Sequence, residues 1–150
     1  MTGHHLAQLN VGRLRHPLGD PRSVGFADAL GPINALADAA PGFVWRLVDA
    51  GGADATGLRP FGDDTLVNLS VWESREALWE FTYRSDHLEF LRSRREWFAP
   101  PGGPHLALWW VPAGHVPTPE EAVERLAHLR AHGPTARAFT FREDFAPHDA

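Results

Sequence analysis

Two stretches of the sequence alternate between apolar and polar residues, and they constrain the fold more than any other feature. They are HLAQLNVGR at residues 5–13 and TLVNLSVW at residues 65–72. A period of two is typical of β-strands that turn one face toward a core. Parity places Gln8 and Asn10 on one face of the first strand, and Asn68 and Ser70 on one face of the second. The chain is therefore expected to form a sheet whose strands carry paired polar side chains.

The remaining elements are predicted from caps, breakers and periodicity. FVWRLVD at residues 43–49 is a predicted strand, and HLALWWV at residues 105–111 is another, whose two apolar faces both require cover. Helices are expected where a capping residue precedes, or Gly and Pro follow, an amphipathic stretch. The first runs from about Pro21 to Ala40, with a kink or break at Gly31-Pro32. The second begins at Ser74 and continues into a further segment capped by Asp86. The third runs from Thr118 to Gly133. Residues 50–64 are expected to form an exposed loop.

The order of these elements is β-α-β-β-α-β followed by one more helix, which is the ferredoxin-like arrangement of the α+β class. A four-stranded antiparallel sheet then has helices on one face, with the first and third strands side by side. The other face is left open. A second copy that covers it would explain the apolar fourth strand, so we predict a homodimer, a dimeric α+β barrel. We expect one domain over residues 1–150, because no linker or repeat divides the chain.

Composition excludes several classes of function. The chain has 150 residues, a formal net charge of −5 and no cysteine. A negative charge argues against binding along a nucleic-acid backbone, and the lack of cysteine excludes disulfides, zinc–thiolate sites and thiol nucleophiles. The longest apolar run, LALWWV, is far shorter than a membrane span, and the N-terminus shows no signal-peptide pattern. We expect a cytoplasmic protein that binds neither nucleic acid nor membranes.

The segment SVWESREALWEF at residues 70–81 resembles the dimeric α+β barrel superfamily, which includes antibiotic-biosynthesis monooxygenases and heme-degrading enzymes. More closely, the chain resembles the bacterial domain-of-unknown-function family thirty-two ninety-one. This resemblance is carried by LAQLNVGRLRHPLGDPR, INALADAAPGFVWRL, LVNLSVWESREAL, RREWF and LWWVPAGHVPTPEEAVERLAHLRAHGPT, which together span nearly the full length. It implies the fold, and the superfamily implies a ligand cleft between the sheet and the helix after the third strand.

That cleft would be lined by the first and third strands and by residues 77–98. Gln8, Asn10, Asn68 and Ser70 would form its floor. Because a buried amide without a partner costs about 1–3 kcal/mol, such side chains are rarely accidental. They could bind a polar ligand or an oxyanion, or they could bond each other across the strands or line a wet dimer interface. Further candidate ligand-binding residues are Trp72, Phe81, Tyr83 and Trp97.

His87 and Arg46 are the ionisable candidates for this cleft. A histidine titrates near neutral pH and can act as acid or base, and His87 follows the predicted Asp86 cap at the mouth of the cleft. The alternative is a surface histidine in the first turn of a helix. Arg46 could bind a ligand carboxylate, or it could pair with Asp49 or with an acid of a partner subunit.

Two other polar features are interpreted as surface. His128 and His132 have the i, i+4 spacing of a zinc pair on a helix, but neither a third ligand nor a metalloprotease Glu accompanies them. Arg92, Arg94 and Arg95 form a basic run with Glu residues at salt-bridging spacings, which is typical of a solvated helix face. We expect no metal and no cofactor.

The resemblance favours a protein that binds a small molecule. One hypothesis is a cofactor-independent monooxygenase, or a related cyclase or isomerase, that acts on an aromatic or polyketide-like substrate. Asn10 would orient the substrate or dioxygen, Trp72 and Phe81 would pack it, and His87 would transfer a proton. A non-catalytic ligand-binding or structural dimer is the alternative.

Heme binding or degradation is a third hypothesis. The resemblance to heme-degrading enzymes implies an Asn in the first strand, a Trp in the helix after the third strand and a His further along that helix. Asn10 matches the first position, whereas Phe81 occupies the second and Leu91 or Arg92 the third. Two of these three elements are therefore missing.

Overall fold

The computed structural model describes residues 3–48, 54, 56, 58–85 and 87–147. Its strands are β1 (His4–Arg13), β2 (Phe43–Arg46), β3 (Thr65–Trp72) and β4 (Leu106–Pro112). Its helices are α1 (Val24–Asp38), α2 (Arg75–Arg84), α3 (His87–Arg92), α4 (Arg94–Trp97) and α5 (Pro119–His132). A 3₁₀ turn, Pro21–Ser23, precedes α1. The predicted Asp86 cap and parts of the predicted loop at residues 50–64 lie outside the described residues.

The sheet is antiparallel, with the strand order β2-β3-β1-β4. In the register of the two central strands, Gln8 pairs with Ser70 and Asn10 pairs with Asn68. Side chains of directly paired residues lie on the same face of a sheet. The ferredoxin-like α+β fold is therefore confirmed, and the four polar side chains share one face.

The opposite face, which carries the odd-numbered residues of β1, is buried by α5 of the same chain. Leu9 and Trp109 on this face are at most 1% exposed, and they belong to one core with Leu126 and Leu129 of α5. Our expectation of an open face was wrong, because the added helix folds back over it. This also explains why β4 is apolar on both sides. The homodimer stays a prediction, but this face no longer motivates it.

The polar face is covered by α1 to α4 and by the C-terminal tail. At one end of the sheet, Leu78 of α2 packs with Trp72 in a cluster that includes Phe139 of the tail. At the other end, Phe26 of α1 packs with Trp97 and its neighbours in a separate cluster. The polar positions of β1 and β3 lie between these two apolar clusters, which hold the helices away from the middle of the sheet.

Two predicted boundaries differ from the observed ones. Helix α1 continues through Pro32, so the break that we gave as one alternative does not occur. Proline lacks the amide hydrogen of one i to i−4 bond, but burial of Phe26 and Ala37 on either side keeps the two halves in one helix. Strand β2 ends at Arg46, before the end of its predicted range. Among the described residues, no helix combines the length and the apolar character needed to cross a membrane.

Candidate functional site

A cavity of about 220 Å³ lies between the polar face of the sheet and helices α1 to α4. It forms where the two apolar clusters leave the middle of the sheet uncovered. All the candidate site residues named from the sequence line it. They are Gln8, Asn10, Arg46, Asn68, Ser70, Trp72, Phe81, Tyr83, His87 and Trp97. Their location is thus where we expected it, while their roles in binding or catalysis stay predictions.

The floor of the cavity is a connected set of polar side chains. The Gln8 Nε2 donates to Asn68 Oδ1 at 2.5 Å and to Ser70 Oγ at 2.9 Å. The Trp72 Nε1 also donates to Ser70 Oγ, at 2.8 Å. Because Ser70 Oγ accepts two hydrogen bonds, its own hydrogen is the donor that remains for another group. The cross-strand bonding that we gave as an alternative therefore occurs, in a floor that also lines the cavity.

Asn10 differs from its neighbours in the floor. Its side chain is half-buried and lines the cavity. Within the described part of the chain, its carboxamide has no hydrogen-bond partner, whereas the Gln8 amide is bonded to two side chains. A carboxamide offers two donor hydrogens and one acceptor oxygen. Asn10 can therefore orient a polar group of a bound molecule.

His87 begins α3 and turns its ring toward the cavity rather than to the surface. Its Nδ1 lies 3.1 Å from the carbonyl oxygen of Thr82. A ring nitrogen bonds a carbonyl only through its own hydrogen, so Nδ1 carries the proton and Nε2 the lone pair. Burial lowers the pKa of His87, against a smaller opposing effect of the Thr82 carbonyl. The ring is therefore neutral at pH 7, in the form that can accept a proton.

Aromatic rings form the wall beside His87. The Phe81 ring stacks on Trp72 with centroids 5.1 Å apart and lies 4.9 Å from the His87 ring. Phe43 meets the edge of Trp72 at 5.4 Å. Tyr83 also lines the cavity and packs against Trp79, which does not line it. A planar apolar molecule would find stacking partners at this end of the cavity.

Arg46 lines the cavity and is also ion-paired. Its Nε and Nη2 donate to the two carboxylate oxygens of Asp38 at 2.8 and 3.2 Å. Asp49, the partner that we named as an alternative, lies outside the described residues, and pairing with an acid of a partner subunit stays a prediction. The bidentate pair ties β2 to the end of α1.

Residues 5–150 match the family described as Domain of unknown function (DUF3291). The chain belongs to this family. No curated protein matches the chain.

Solved structures similar to the chain share little sequence with it. A protein of unknown function from Nitrosomonas europaea is 14% identical, with 77% of this chain and 95% of that chain covered and a TM-score of 0.48. The cofactor-independent oxygenase SnoaB from Streptomyces nogalater is 14% identical, with 78% and 98% covered and a TM-score of 0.48. A DABB family protein with a ferredoxin-like fold from Mesorhizobium loti is 15% identical, with 77% and 98% covered and a TM-score of 0.45.

Three ionisable residues that line the cavity of this DUF3291 chain were not predicted from the sequence: Asp54, Arg94 and His105. Arg94 was assigned to a solvated helix face, which was wrong: its Nη2 donates to the carbonyl oxygen of Val11 at 3.0 Å, and its guanidinium lies 5.0 Å from the centre of the Phe98 ring. Burial lowers the pKa of Arg94, and burial together with the Arg94 charge lowers the pKa of His105. The Trp97-Phe98 pair, which must face the core, was the one sequence signal from which burial of the nearby Arg94 could have been predicted.

His115, His128 and His132 do not line the cavity. The rings of His128 and His132 are 4.6 Å apart, and His128 Nε2 lies 3.0 Å from the hydroxyl of Thr135. His115 pairs with Glu121 at 2.7 Å. In the part of the chain that the structure describes, no three His, Asp or Glu residues are grouped closely enough to hold a metal ion.

Proposed function

We propose that the protein binds a small aromatic or polyketide-like molecule in this cavity and that His87 starts a reaction by removing a proton from it. The reaction is that of a cofactor-independent monooxygenase or of a related cyclase or isomerase. One observation carries the proposal: a neutral histidine, with its proton held on Nδ1, lies beside an aromatic wall in a cavity that also has a polar floor.

The volume of the cavity limits the size of the molecule. Pockets for drug-sized ligands are roughly 300–1,000 Å³, and this cavity is about 220 Å³. One ring or two fused rings suit that space better than a long polyketide. A heme, with four pyrrole rings, exceeds it. Where the resemblance to heme-degrading enzymes implies a Trp and a His, this chain has Phe81 and either Leu91 or Arg92.

The residues that line the cavity have different roles in the proposed reaction. The His87 Nε2 accepts a proton from a C–H or O–H group of the substrate, while Trp72 and Phe81 pack against its ring. The negative charge that develops on a substrate oxygen is stabilised by hydrogen bonds from the Asn10 carboxamide and the Ser70 hydroxyl. In an isomerase the proton returns to a different atom. In a cyclase the carbanion attacks a carbonyl carbon of the same molecule.

In a monooxygenase the carbanion reacts with dioxygen instead. A CH₂ group of the substrate is oxidised to a carbonyl, one oxygen atom enters the product, and the other leaves as water together with the two hydrogens. The substrate supplies the electrons, so the same first proton transfer serves all three reactions. Proton abstraction is therefore the step to test first.

A ligand such as 2-tetralone, a two-ring ketone with acidic C–H bonds beside its carbonyl, provides this test. We expect the protein to accelerate exchange of these hydrogens for deuterium in D₂O, measured by NMR. The variant His87→Gln should lower the catalysed rate about 100- to 10,000-fold, the usual contribution of a positioned base. His128→Gln, on α5 and outside the cavity, is the matched control and should leave the rate unchanged.

Non-catalytic binding is the second candidate, and the bonding of Gln8, Asn68 and Ser70 to each other favours it. Quenching of Trp72 and Trp97 fluorescence by 2-tetralone without any exchange would support binding alone. Oxygen consumption with the same ketone would identify the oxygenase. No quenching by 2-tetralone or by other two-ring compounds would contradict both candidates.

A further inference from the structure

We propose that the cavity selects molecules that carry a carboxylate, and that Arg94 binds this group. The inference rests on the proposed function, because it requires a ligand in the cavity. It adds the chemical class of that ligand: an aromatic or alicyclic acid with one or two rings, whose anionic end lies at Arg94.

The position of Arg94 is set by two contacts that leave most of its donors unused. The hydrogen bond from Nη2 to the Val11 carbonyl and the stacking over Phe98 fix the guanidinium plane. A guanidinium carries five N–H groups, and its fork matches the two oxygens of a carboxylate. Since the side chain lines the cavity, the remaining N–H groups can reach a molecule bound there.

The charge of Arg94 has no counterpart within the described residues. Arg46, the other arginine of the cavity, is paired with Asp38, whereas Arg94 has no carboxylate partner in that part of the chain. Asp54 also lines the cavity, but its Oδ1 accepts hydrogen bonds from the backbone N–H and the hydroxyl of Thr56. A half-buried positive charge beside apolar groups is stabilised most by an anion that enters with the ligand.

The surroundings of Arg94 are compatible with an anion. His105 lies in the same cavity, and because its pKa is lowered it is neutral at pH 7 and adds no competing charge. Val11, which binds Arg94, directly follows Asn10 in β1. The Asn10 carboxamide, which has no hydrogen-bond partner among the described residues, lines the same cavity as Arg94.

The register of the sheet also orients the ligand. Arg94 lies near Val11 of β1, whereas His87 contacts Phe81, which stacks on Trp72. Trp72 pairs with Leu6, five residues before Val11 in β1, so the aromatic wall and Arg94 lie toward different ends of the polar face. A molecule whose carboxylate is at Arg94 thus extends its rings toward the aromatic wall and His87.

The test compares 2-naphthoate with 2-naphthamide, which have the same shape and differ in charge. Quenching of the fluorescence of the cavity tryptophans gives both affinities. We expect the wild-type protein to bind the acid about 10- to 100-fold more tightly than the amide, the range for a hydrogen bond to a charged group. Arg94→Met should abolish this preference, and Arg94→Lys should retain part of it.

Arg92→Met is the matched control, since Arg92 is exposed and paired with Glu89 on α3. It should leave the preference for the acid unchanged. Equal binding of acid and amide by the wild-type protein would overturn the carboxylate proposal. A preference for the acid that survives in Arg94→Met would overturn it as well. Neither result would contradict the proposed function. Failure of both compounds to bind would overturn both proposals. The wild-type ratio needs no variant, so the test holds even if Arg94→Met does not fold.

Discussion

Ser70 is the residue on which the polar floor depends. It accepts hydrogen bonds from Gln8 and Trp72, and both donors are buried. Ser70→Ala leaves the Trp72 Nε1 without its partner and removes one of the three hydrogen bonds of the Gln8 amide, whose other two go to Asn68. We expect the free energy of unfolding to fall by about 1–3 kcal/mol, the cost of an unsatisfied buried donor, as measured by urea denaturation.

The control for this variant is Ser93→Ala. The Ser93 hydroxyl makes only a long hydrogen bond of 3.4 Å, to the carbonyl oxygen of Glu89. Its loss should change the free energy of unfolding by no more than about 0.5 kcal/mol. Equal effects of the two substitutions would mean that the floor does not contribute to stability through these bonds.

Single residues of the site were predictable to different degrees. The strand residues Gln8 and Ser70 could be placed on one face, because a period of two leaves only two possible directions for each side chain. Their hydrogen bonds to each other could not be predicted, because the sequence of one strand does not determine the register in which it pairs with another. The direction of Arg94 was missed because α4 is four residues long, too short for a periodic pattern to show which face is buried.

Helix α5 is the element that distinguishes this chain from a bare ferredoxin-like sheet. Its bounds followed from local chemistry: the Thr118 hydroxyl accepts a hydrogen bond from the backbone N–H of Glu121, and Gly133 at the other end has φ of 75°. Such signals specify where a helix begins and ends but not what it packs against. The apolar stripe of α5 therefore predicted that the helix is buried, and only the structure places it on the sheet face that we expected to be open.

Leu126 tests the contribution of α5 to the core. Its side chain is fully buried against the sheet, together with Leu9 and Trp109. We expect Leu126→Ala to lower the free energy of unfolding by about 2–5 kcal/mol, through lost burial and the cavity left behind. Val116→Ala, at a side chain that is 52% exposed, should cost no more than about 0.5 kcal/mol. A small effect at Leu126, measured by urea denaturation, would mean that α5 is not part of the cooperative core.

At the scale of the whole molecule, the order of elements was sufficient to predict the fold, whereas the place of the cleft was implied by the resemblance to the dimeric α+β barrel superfamily. The ferredoxin-like topology brings the polar positions of β1 and β3 together under the helices. The volume of the cavity was not predictable, since it depends on how far Phe26, Phe81 and Trp97 hold the helices from the sheet. The homodimer stays a prediction, and a dimer would have to use a surface other than the face that α5 covers.

The stability of the whole molecule should depend on pH through His87 and His105. Burial lowers the pKa of both rings in the folded protein, while the unfolded chain titrates near the ordinary value of about 6.5. Below that pH, the unfolded chain binds more protons than the folded one, so the free energy of unfolding falls as the pH decreases. Above it, both states are neutral at these residues and their contribution to the pH dependence vanishes.

Urea denaturation at about pH 7.5 and about pH 5.5 measures this dependence, in an interval above the ordinary pKa values of the carboxylates. We expect the wild-type protein to lose stability across the interval and the double variant His87→Gln/His105→Gln to lose distinctly less. A matched double variant His4→Gln/His16→Gln, at two histidines that do not line the cavity, should decline as the wild-type protein does. An equal decline in all three proteins would mean that the two cavity histidines are not held neutral by the fold, and His87 would then lack the state that its proposed role as a base requires.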